Sequence, residues 1–276
     1  MDDLTIGFSS CPNDTYIFHA LACGLLDLPF RPRVVLEDVE KLNQKVREGC
    51  LDVSKISAHA ALHIMDNYRL LRSGGAIGRG CGPLLAARTT MAIEELRDAV
   101  IAVPGKLTTA HLLLRLHGVH RGPCIPMQFD RIMPAIASGE VDAGVIIHEG
   151  RFTYHSYGLR LLLDLGQWWE QETGLPLPLG AIAVRRDLGS QIARVMEEKI
   201  RESIVHARMN PAAAWTYISR HAQEMEPDVI RRHIDTFVND FSIDSGKEGE
   251  LALITLLKAA CRLENVPFPS GGIFWS

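Results

Sequence analysis

The sequence lacks the close cysteine pairs that build zinc sites and disulfide scaffolds. Its six cysteines, at positions 11, 23, 50, 81, 124 and 261, include no C-x-x-C pair, so we expect reduced thiols. It also lacks a block of lysine or arginine, and its formal net charge is only −4 over 276 residues. These absences exclude the usual footprint of a nucleic-acid-binding protein and indicate small-molecule partners.

Long apolar runs are missing as well. No stretch approaches the roughly 20 apolar residues that cross a bilayer, so we expect no membrane association. The first four residues, Met-Asp-Asp-Leu, are acidic and run directly into a short apolar strand, without the basic and apolar parts of an export signal. We therefore expect a cytoplasmic protein.

What is present is an alternation of short apolar strands and amphipathic helices over about the first 185 residues. This pattern is typical of α/β proteins, and we expect largely parallel sheets with helices outside. The predicted strands are 4–8, 34–36, 51–56, 100–103, 125–129 and 143–147, and the predicted helices between them include 39–48, 108–117 and 131–138. After residue 187 the pattern becomes helical.

One pattern occurs twice. Residues 45–54 and 135–144 both run from a helix through Gly, two residues and Asp into a buried strand. The repetition suggests two similar α/β lobes that face each other across a cleft, although any βαβ protein can contain such a turn.

Two extended segments, 83–88 and 180–186, resemble each other and are interpreted as crossings between the lobes. On this interpretation lobe one comprises residues 1–86 and 184–276, and lobe two comprises residues 87–183. The helices after residue 187 would cover lobe one.

Three side chains stand at the ends of two predicted strands. His148 follows strand 143–147, and Lys55 and Ser57 alternate at the end of the strand that the repeated pattern pairs with it. Because ligands of open α/β sheets gather beyond the carboxyl ends of strands, we expect a shared cleft. His148 could act there as a general base or acid, and Lys55 could attract a carboxylate. The alternatives are a structural histidine and a solvated lysine.

Two loops place small polar residues at predicted helix starts. Residues 9–15 include Asn13, and residues 104–110 include Thr108. Their side chains and the free amides of the first helical turn could bind an anion or a hydroxyl group. Ordinary helix capping is the alternative explanation for both loops.

His59 and His63 are spaced one helical turn apart, as two metal ligands on a helix can be. The pair lacks the Glu of H-E-x-x-H, and no completing ligand is apparent. We therefore predict no metal site and interpret these histidines as packed or solvated side chains.

Taken together, these segments resemble the 1,4-dihydroxy-6-naphthoate synthase family of menaquinone biosynthesis. The resemblance covers nearly the whole chain and is carried by residues 7–9, 11–15, 36–40, 55–57, 72–76, 102–105, 146–149, 151–154 and 174–180. It implies a periplasmic-binding-protein-like fold of type II, with two α/β lobes and the site between them.

The resemblance also implies an activity. The family converts cyclic dehypoxanthine futalosine to 1,4-dihydroxy-6-naphthoate and releases the sugar-derived fragment as dihydroxyacetone, as a carbon–carbon lyase without a metal or organic cofactor. Its catalytic histidine corresponds to His148, and its substrate contacts correspond to Lys55, Ile56, Ser57, Thr109 and Ala110. We add Asn13 and Thr108 from the loop argument above.

The sequence departs from the family's pattern at two positions. Ser10 stands where Pro is common, and Gly150 stands where Ser is frequent. Two rival functions remain, a solute-binding protein of the same architecture and chorismate dehydratase, a sibling enzyme with the same fold. The Cys-Pro-Asn-Asp-Thr loop and the Ile-Ile-His-Glu strand end favour the synthase. The substrate would be a cyclic aromatic carboxylate, bound at Lys55 or at the helix start after Thr108, and the sequence leaves the oligomeric state open.

Overall fold

A computed structural model describes residues 3–223 and 226–275 of the chain. The described residues form two mixed β-sheets with helices packed against them. Among these residues, no helix combines the length and the apolar character that a membrane crossing needs.

The first sheet has the strand order β2-β1-β3-β11-β4, with β5 paired to β11. Strands β1, β2 and β3 are parallel, and β11 runs antiparallel to β3, β4 and β5. The strands are β1 (Asp3–Phe8), β2 (Arg31–Leu36), β3 (Val53–Ser57), β4 (Tyr68–Leu70), β5 (Ala76–Gly78) and β11 (Leu177–Arg185).

The second sheet has the order β10-β6-β9-β7-β8. Strand β7 is parallel to β8 and β9, whereas β6 is antiparallel to β9 and β10. The strands are β6 (Leu84–Ala87), β7 (Ile101–Val103), β8 (Cys124–Pro126), β9 (Ala143–Ile146) and β10 (Arg160–Asp164).

The prediction of largely parallel sheets is wrong for the crossing strands. Each crossing segment enters the opposite sheet antiparallel to its neighbours, so β6 pairs with β9 and β11 pairs with β3. All of β6 therefore lies in the second sheet and all of β11 in the first. Hydropathy could not show this, because a buried antiparallel strand is as apolar as a parallel one.

Helices cover both sheets. They are α1 (Pro12–Ala22), α2 (Val39–Arg47), α3 (Thr109–His117), α4 (Phe129–Ser138), α5 (Gly150–Thr153), α6 (Leu165–Thr173), α7 (Gly189–Met209), α8 (Pro211–His221), α9 (Pro227–Phe237), α10 (Asp240–Ile243) and α11 (Gly246–Glu264). Helices α7, α8 and α9 pack on α1, and α11 packs on β11. The C-terminal helices thus cover the first sheet, as the sequence predicts. Short 3-10 helices span His59–His63, Ile93–Leu96, Tyr154–Tyr157 and Arg186–Leu188.

The repeated sequence pattern is a repeated structural unit. Helices α2 and α4 are each followed by a left-handed glycine, Gly49 (φ 76°) and Gly139 (φ 82°), and then by β3 or β9. In each copy the aspartate accepts a hydrogen bond from the backbone N–H of residue 5 in β1 or of residue 100 just before β7, at 2.8 Å for Asp52 and 2.7 Å for Asp142. The two units thus align the ends of β3 and β9.

Apolar packing joins the two sheets beneath these strand ends. One buried cluster contains Ile56 of β3, Val103 of β7 and Leu257 of α11, all at most 1% exposed. Two further buried apolar clusters pack against the outer faces of the two sheets, one cluster on each sheet. The shared cluster fixes the relative position of the strand ends that carry the predicted site.

A close backbone contact holds the first crossing against α6. A Cβ added at Gly82 would overlap the Cα of Gly166, and a Cβ added at Gly166 would overlap the backbone of Gly82. Only glycine allows the two backbones to approach so closely.

We therefore expect Gly82→Ala to lower the free energy of unfolding by about 1–3 kcal/mol, because the overlap forces the backbones apart. Urea denaturation measures this change. Gly75→Ala is the matched control, since its added Cβ would come no closer than 3.4 Å to a neighbouring atom. Equal losses in the two variants would contradict the role of the Gly82–Gly166 contact.

Candidate active site

A pocket lies between the two sheets, beyond the ends of β3 and β9. It contains about 690 Å³ of empty space, including its open mouth. All eight residues that the sequence analysis selected line it: Asn13, Lys55, Ile56, Ser57, Thr108, Thr109, Ala110 and His148. Their shared position is consistent with one binding site, whereas their individual roles remain predictions.

His148 has an unusual backbone conformation, and one of its ring nitrogens is free to contact a ligand. It adopts φ 55°, a left-handed conformation that is uncommon for residues other than glycine. Its Nε2 atom is buried, with no hydrogen-bond partner among the described residues. The edge of the ring meets Phe129, with the ring centroids 4.9 Å apart. Backbone strain of this kind persists where the surrounding structure enforces it, and it places the imidazole at the pocket.

Ser57 is oriented by a fully buried amide. Asn43 Oδ1 accepts a hydrogen bond from the Ser57 backbone N–H at 2.9 Å, and Asn43 Nδ2 donates to Ser57 Oγ at 3.1 Å. Because Ser57 Oγ accepts from this amide, its own hydrogen is available to a ligand in the pocket. Asn43 lies outside the set of residues that the sequence analysis selected.

Lys55 is already paired. Its Nζ atom lies 3.1 Å from Asp14 Oδ1 and donates to the carbonyl of Gly74 at 2.8 Å. Both side chains of the ion pair are only 5% exposed, and Asp14 also accepts from Ser9 Oγ at 2.7 Å. Since Asp14 balances its charge, Lys55 would attract a ligand carboxylate less strongly than the sequence alone suggests.

The start of α3 offers open amides instead. Thr108 caps the helix, because its side chain accepts from the His111 N–H at 3.3 Å. Thr109 Oγ1 donates to the Leu179 carbonyl at 2.8 Å, so both hydroxyl groups have structural partners. The backbone N–H groups of Thr109 and Ala110 have no acceptor within the described ranges. These two N–H groups form a candidate anion-binding site at the first turn of the helix, where the helix dipole is positive.

Glu40 links the two sheets beside this helix start. Both of its carboxylate oxygens lie 3.2 Å from the backbone nitrogen of Leu107, which precedes α3. Glu40 Oε2 also accepts from Asn43 Nδ2 at 3.3 Å. Burial raises the pKa of Glu40. The contact therefore couples the element that orients Ser57 to the loop that carries Thr108.

His233, on α9, is a site residue that sequence reasoning missed. It is fully buried, and its Nε2 lies 2.9 Å from Asn13 Oδ1. Asn13 Nδ2 donates to Asp14 Oδ1 at 3.0 Å, so His233 Nε2 must carry the hydrogen of its bond to Asn13. The His233 ring stacks on that of His148, with the centroids 6.0 Å apart. In the sequence, His233 lies within the helical pattern of the C-terminal region and belongs to no motif, so the sequence gives no signal for its role.

Burial, together with repulsion from His148, lowers the pKa of His233 well below 6.5. The folded protein thus keeps this imidazole neutral, while the unfolded chain takes up a proton below about pH 6.5. Stability from this group is complete above pH 6.5 and is lost as the pH falls, by about 1.4 kcal/mol per pH unit. Glu149 also faces the ring, with Oε2 3.7 Å from Nδ1.

We expect His233→Gln to weaken the acid sensitivity of folding by up to that slope between pH 6.5 and 5. Urea denaturation of both proteins across this range measures the difference. His155→Gln removes an exposed histidine and should keep the wild-type slope. An unchanged slope in His233→Gln would show that the folded protein binds the proton at this position.

Two other residues that line the pocket, Arg151 and Cys81, are poorly suited to chemistry. Arg151 donates to the Gly82 carbonyl at 2.6 Å and to Asp164 Oδ2 at 2.7 Å. Burial raises the pKa of the Cys81 thiol to about 12, which makes it a poor nucleophile. We assign a structural role to Arg151 and a packing role to Cys81.

The histidine pair considered for metal lies outside this pocket. His59 and His63 meet Glu264, and one ligand atom from each lies within 4.8 Å of the others. Glu264, more than two hundred residues away in the sequence, is the third candidate ligand, and the local sequence could not show it. Arg115 Nη1 donates to the same Glu264 oxygen that His59 contacts, at 2.9 Å. The guanidinium would stand beside a bound cation, so the group is better described as an ion-pair cluster.

Two α/β sheets with a pocket between their strand ends define a periplasmic-binding-protein-like fold. The alkanesulfonate-binding protein of Xanthomonas axonopodis pv. citri shares this fold, with a TM-score of 0.71 at 14% identity, covering 96% of this chain and 93% of that one. A crystal structure of a protein from Archaeoglobus fulgidus is more similar, with a TM-score of 0.89 at 35% identity, covering 95% and 98% of the two chains.

Sequence comparison identifies the family. The family described as menaquinone biosynthesis matches residues 4–262, and the chain belongs to it. Two relatives are named 1,4-dihydroxy-6-naphthoate synthase. The one from Thermus thermophilus is 50% identical and covers 94% of each chain. The one from Streptomyces coelicolor is 43% identical and covers 96% of this chain and 95% of its own. The predicted fold and resemblance are confirmed, and the general function is that of an enzyme of menaquinone biosynthesis.

Proposed function

We propose that the protein is a carbon–carbon lyase that converts cyclic dehypoxanthine futalosine to 1,4-dihydroxy-6-naphthoate and dihydroxyacetone. The observation that carries the proposal is the buried, unpartnered Nε2 of His148 at a pocket that also presents Ser57 and the α3 amides. Relatives that bear the synthase name support the product.

In this proposal the substrate carboxylate binds at the start of α3. The N–H groups of Thr109 and Ala110 would donate to its oxygens, and the helix dipole would add to the attraction. Lys55 is the second choice, because Asp14 already balances its charge. Ile56 and Leu179 line the same pocket and would contact the aromatic ring.

His148 then acts as the general base. It would remove a proton from a hydroxyl group or an activated carbon of the cyclised ribose part, which starts ring opening and retro-aldol-type cleavage. Formation of the aromatic naphthoate would drive the reaction forward. Ser57, whose hydrogen is available for donation, would hold a substrate oxygen beside the imidazole.

We also propose that the two lobes, residues 1–86 with 184–276 and residues 87–183, close on the substrate. Closure would exclude water and bring Ser57 and Thr109 onto the ligand together. Glu40 is the contact that such a movement would make and break, since its carboxylate reaches the Leu107 amide. Small-angle scattering should show compaction when the substrate or product binds, and unchanged dimensions would count against closure.

In the direct test, the purified protein is incubated with each candidate substrate and no added cofactor. Cyclic dehypoxanthine futalosine and chorismate are incubated separately, and the products are identified by mass. We expect naphthoate from the first and no consumption of the second. Consumption of chorismate alone would indicate the dehydratase, and consumption of neither would leave simple solute binding to be measured.

A further inference from the structure

A second pocket adjoins the first and differs from it in chemistry. The two pockets share Ser9, Val39 and His148. Beyond these, most side chains of the second pocket are polar, and we call them the polar annex: Ser10, Glu37, Asp38, Lys41, Gln128, Asp130 and Gln223. The first pocket instead presents Ile56, Leu179 and other apolar side chains along much of its wall.

His148 therefore lies at the junction of an apolar pocket and a polar one. The reaction proposed above cleaves a molecule into a flat aromatic acid and a small polyhydroxy fragment. A base that starts this cleavage must stand beside the bond that joins the two parts. The aromatic part suits the apolar pocket and the polyhydroxy part suits the polar annex.

We propose that the polar annex is the binding site for the sugar-derived, polyhydroxy half of the substrate. This assignment rests on the proposed function and deepens it, because it fixes which way the substrate lies across His148. The fragment released by cleavage would leave through the annex, while the naphthoate remains in the apolar pocket until its own release.

Not every annex side chain is available for a ligand. Asp38 caps α2 by accepting from the Glu40 N–H at 2.9 Å. Glu37 pairs with Lys41 at 3.5 Å and with Lys45 at 3.8 Å. Ser10, Gln128, Asp130 and Gln223 have no hydrogen-bonded side-chain partner within residues 3–223 and 226–275. All four side chains can bind hydroxyl groups, and Gln128 and Asp130 stand together at the start of α4, where one double variant removes both.

The annex is also assembled from both halves of the molecule. Ser10 and Lys41 follow β1 and β2 of the first sheet, whereas Gln128 and Asp130 follow β8 of the second. A polyhydroxy ligand that bridges these elements would favour the closed arrangement of the lobes. The annex would thereby link recognition of the sugar-derived part to placement of His148.

The test is the double variant Gln128→Ala/Asp130→Ala, assayed with the natural substrate and with the naphthoate product. Loss of two hydrogen bonds should raise KM for the substrate about tenfold, with a smaller change in kcat. The Kd for 1,4-dihydroxy-6-naphthoate, measured by its fluorescence, should stay within about twofold of wild type. Arg131→Ala, an exposed change on the same helix, is the matched control and should alter neither value.

Each outcome has a distinct meaning. An unchanged substrate KM in an active protein would overturn the annex assignment and leave the proposed function standing. A parallel loss of naphthoate affinity would place the aromatic half in the annex and would also overturn it. Failure of the wild-type protein to form naphthoate would overturn the proposed function, and the assignment with it.

Discussion

Replacement of His148 by asparagine is expected to reduce kcat by about 10²–10⁴-fold, the range typical for loss of a general base. Asparagine is the replacement of choice because it tolerates the positive φ of 55° at this position better than most residues. The variant should therefore keep the fold and its affinity for naphthoate. Steady-state kinetics and a naphthoate binding titration measure the two effects separately.

His155→Asn is the control for this substitution. His155 is exposed and meets Tyr154 edge-on, with ring centroids 4.7 Å apart, and its replacement should leave kcat unchanged. If His148→Asn retained more than about a tenth of the wild-type kcat, the assignment of the base would be wrong. The lyase function would then stand, with the proton taken up by another group.

Asp14→Asn is expected to lower the free energy of unfolding by about 3–5 kcal/mol, as loss of one partner of a buried ion pair does. The Lys55 ammonium is held only 3.1 Å from Asp14, with both side chains 5% exposed. Asparagine has nearly the same shape but carries no charge, so the variant leaves a buried cation unpaired. Urea denaturation with spectroscopic detection measures the loss.

Two further variants test whether the unpaired lysine causes this loss of stability. Asp228 and Arg231 form a pair of similar length, 2.8 Å, but their side chains are 91% and 61% exposed, so Asp228→Asn should have little effect. Asp14→Asn/Lys55→Met removes both charges and should recover much of the lost stability. If the single and double variants were equally unstable, the cost would lie in the hydrogen bonds to Asp14 rather than in the unpaired lysine.

The residues selected from the sequence line one pocket because they lie at the ends of strands and the starts of helices, and their roles in the reaction stay predictions. The repeated helix–Gly–x–x–Asp–strand pattern places β3 and β9 correctly, and two residues near their ends, Ser57 in β3 and His148 after β9, face one pocket. Alternation of apolar strands and helices likewise predicts the α/β class. These features depend on local patterns, which a sequence contains in full.

The remaining features depend on contacts between distant segments. The Lys55–Asp14 pair, which changes the expected role of Lys55, joins β3 to the first helix. His233 reaches Asn13 across 220 positions. The crossing strands are antiparallel because of how the chain returns between sheets, and hydropathy gives no direction for a buried strand.

The most direct measurement follows substrate, naphthoate and dihydroxyacetone together in one time course with the wild-type protein and no added cofactor. The account predicts that both products appear in a 1:1 ratio and that their amounts equal the substrate consumed. Naphthoate without dihydroxyacetone, or consumption of the substrate without naphthoate, would contradict the proposed carbon–carbon cleavage.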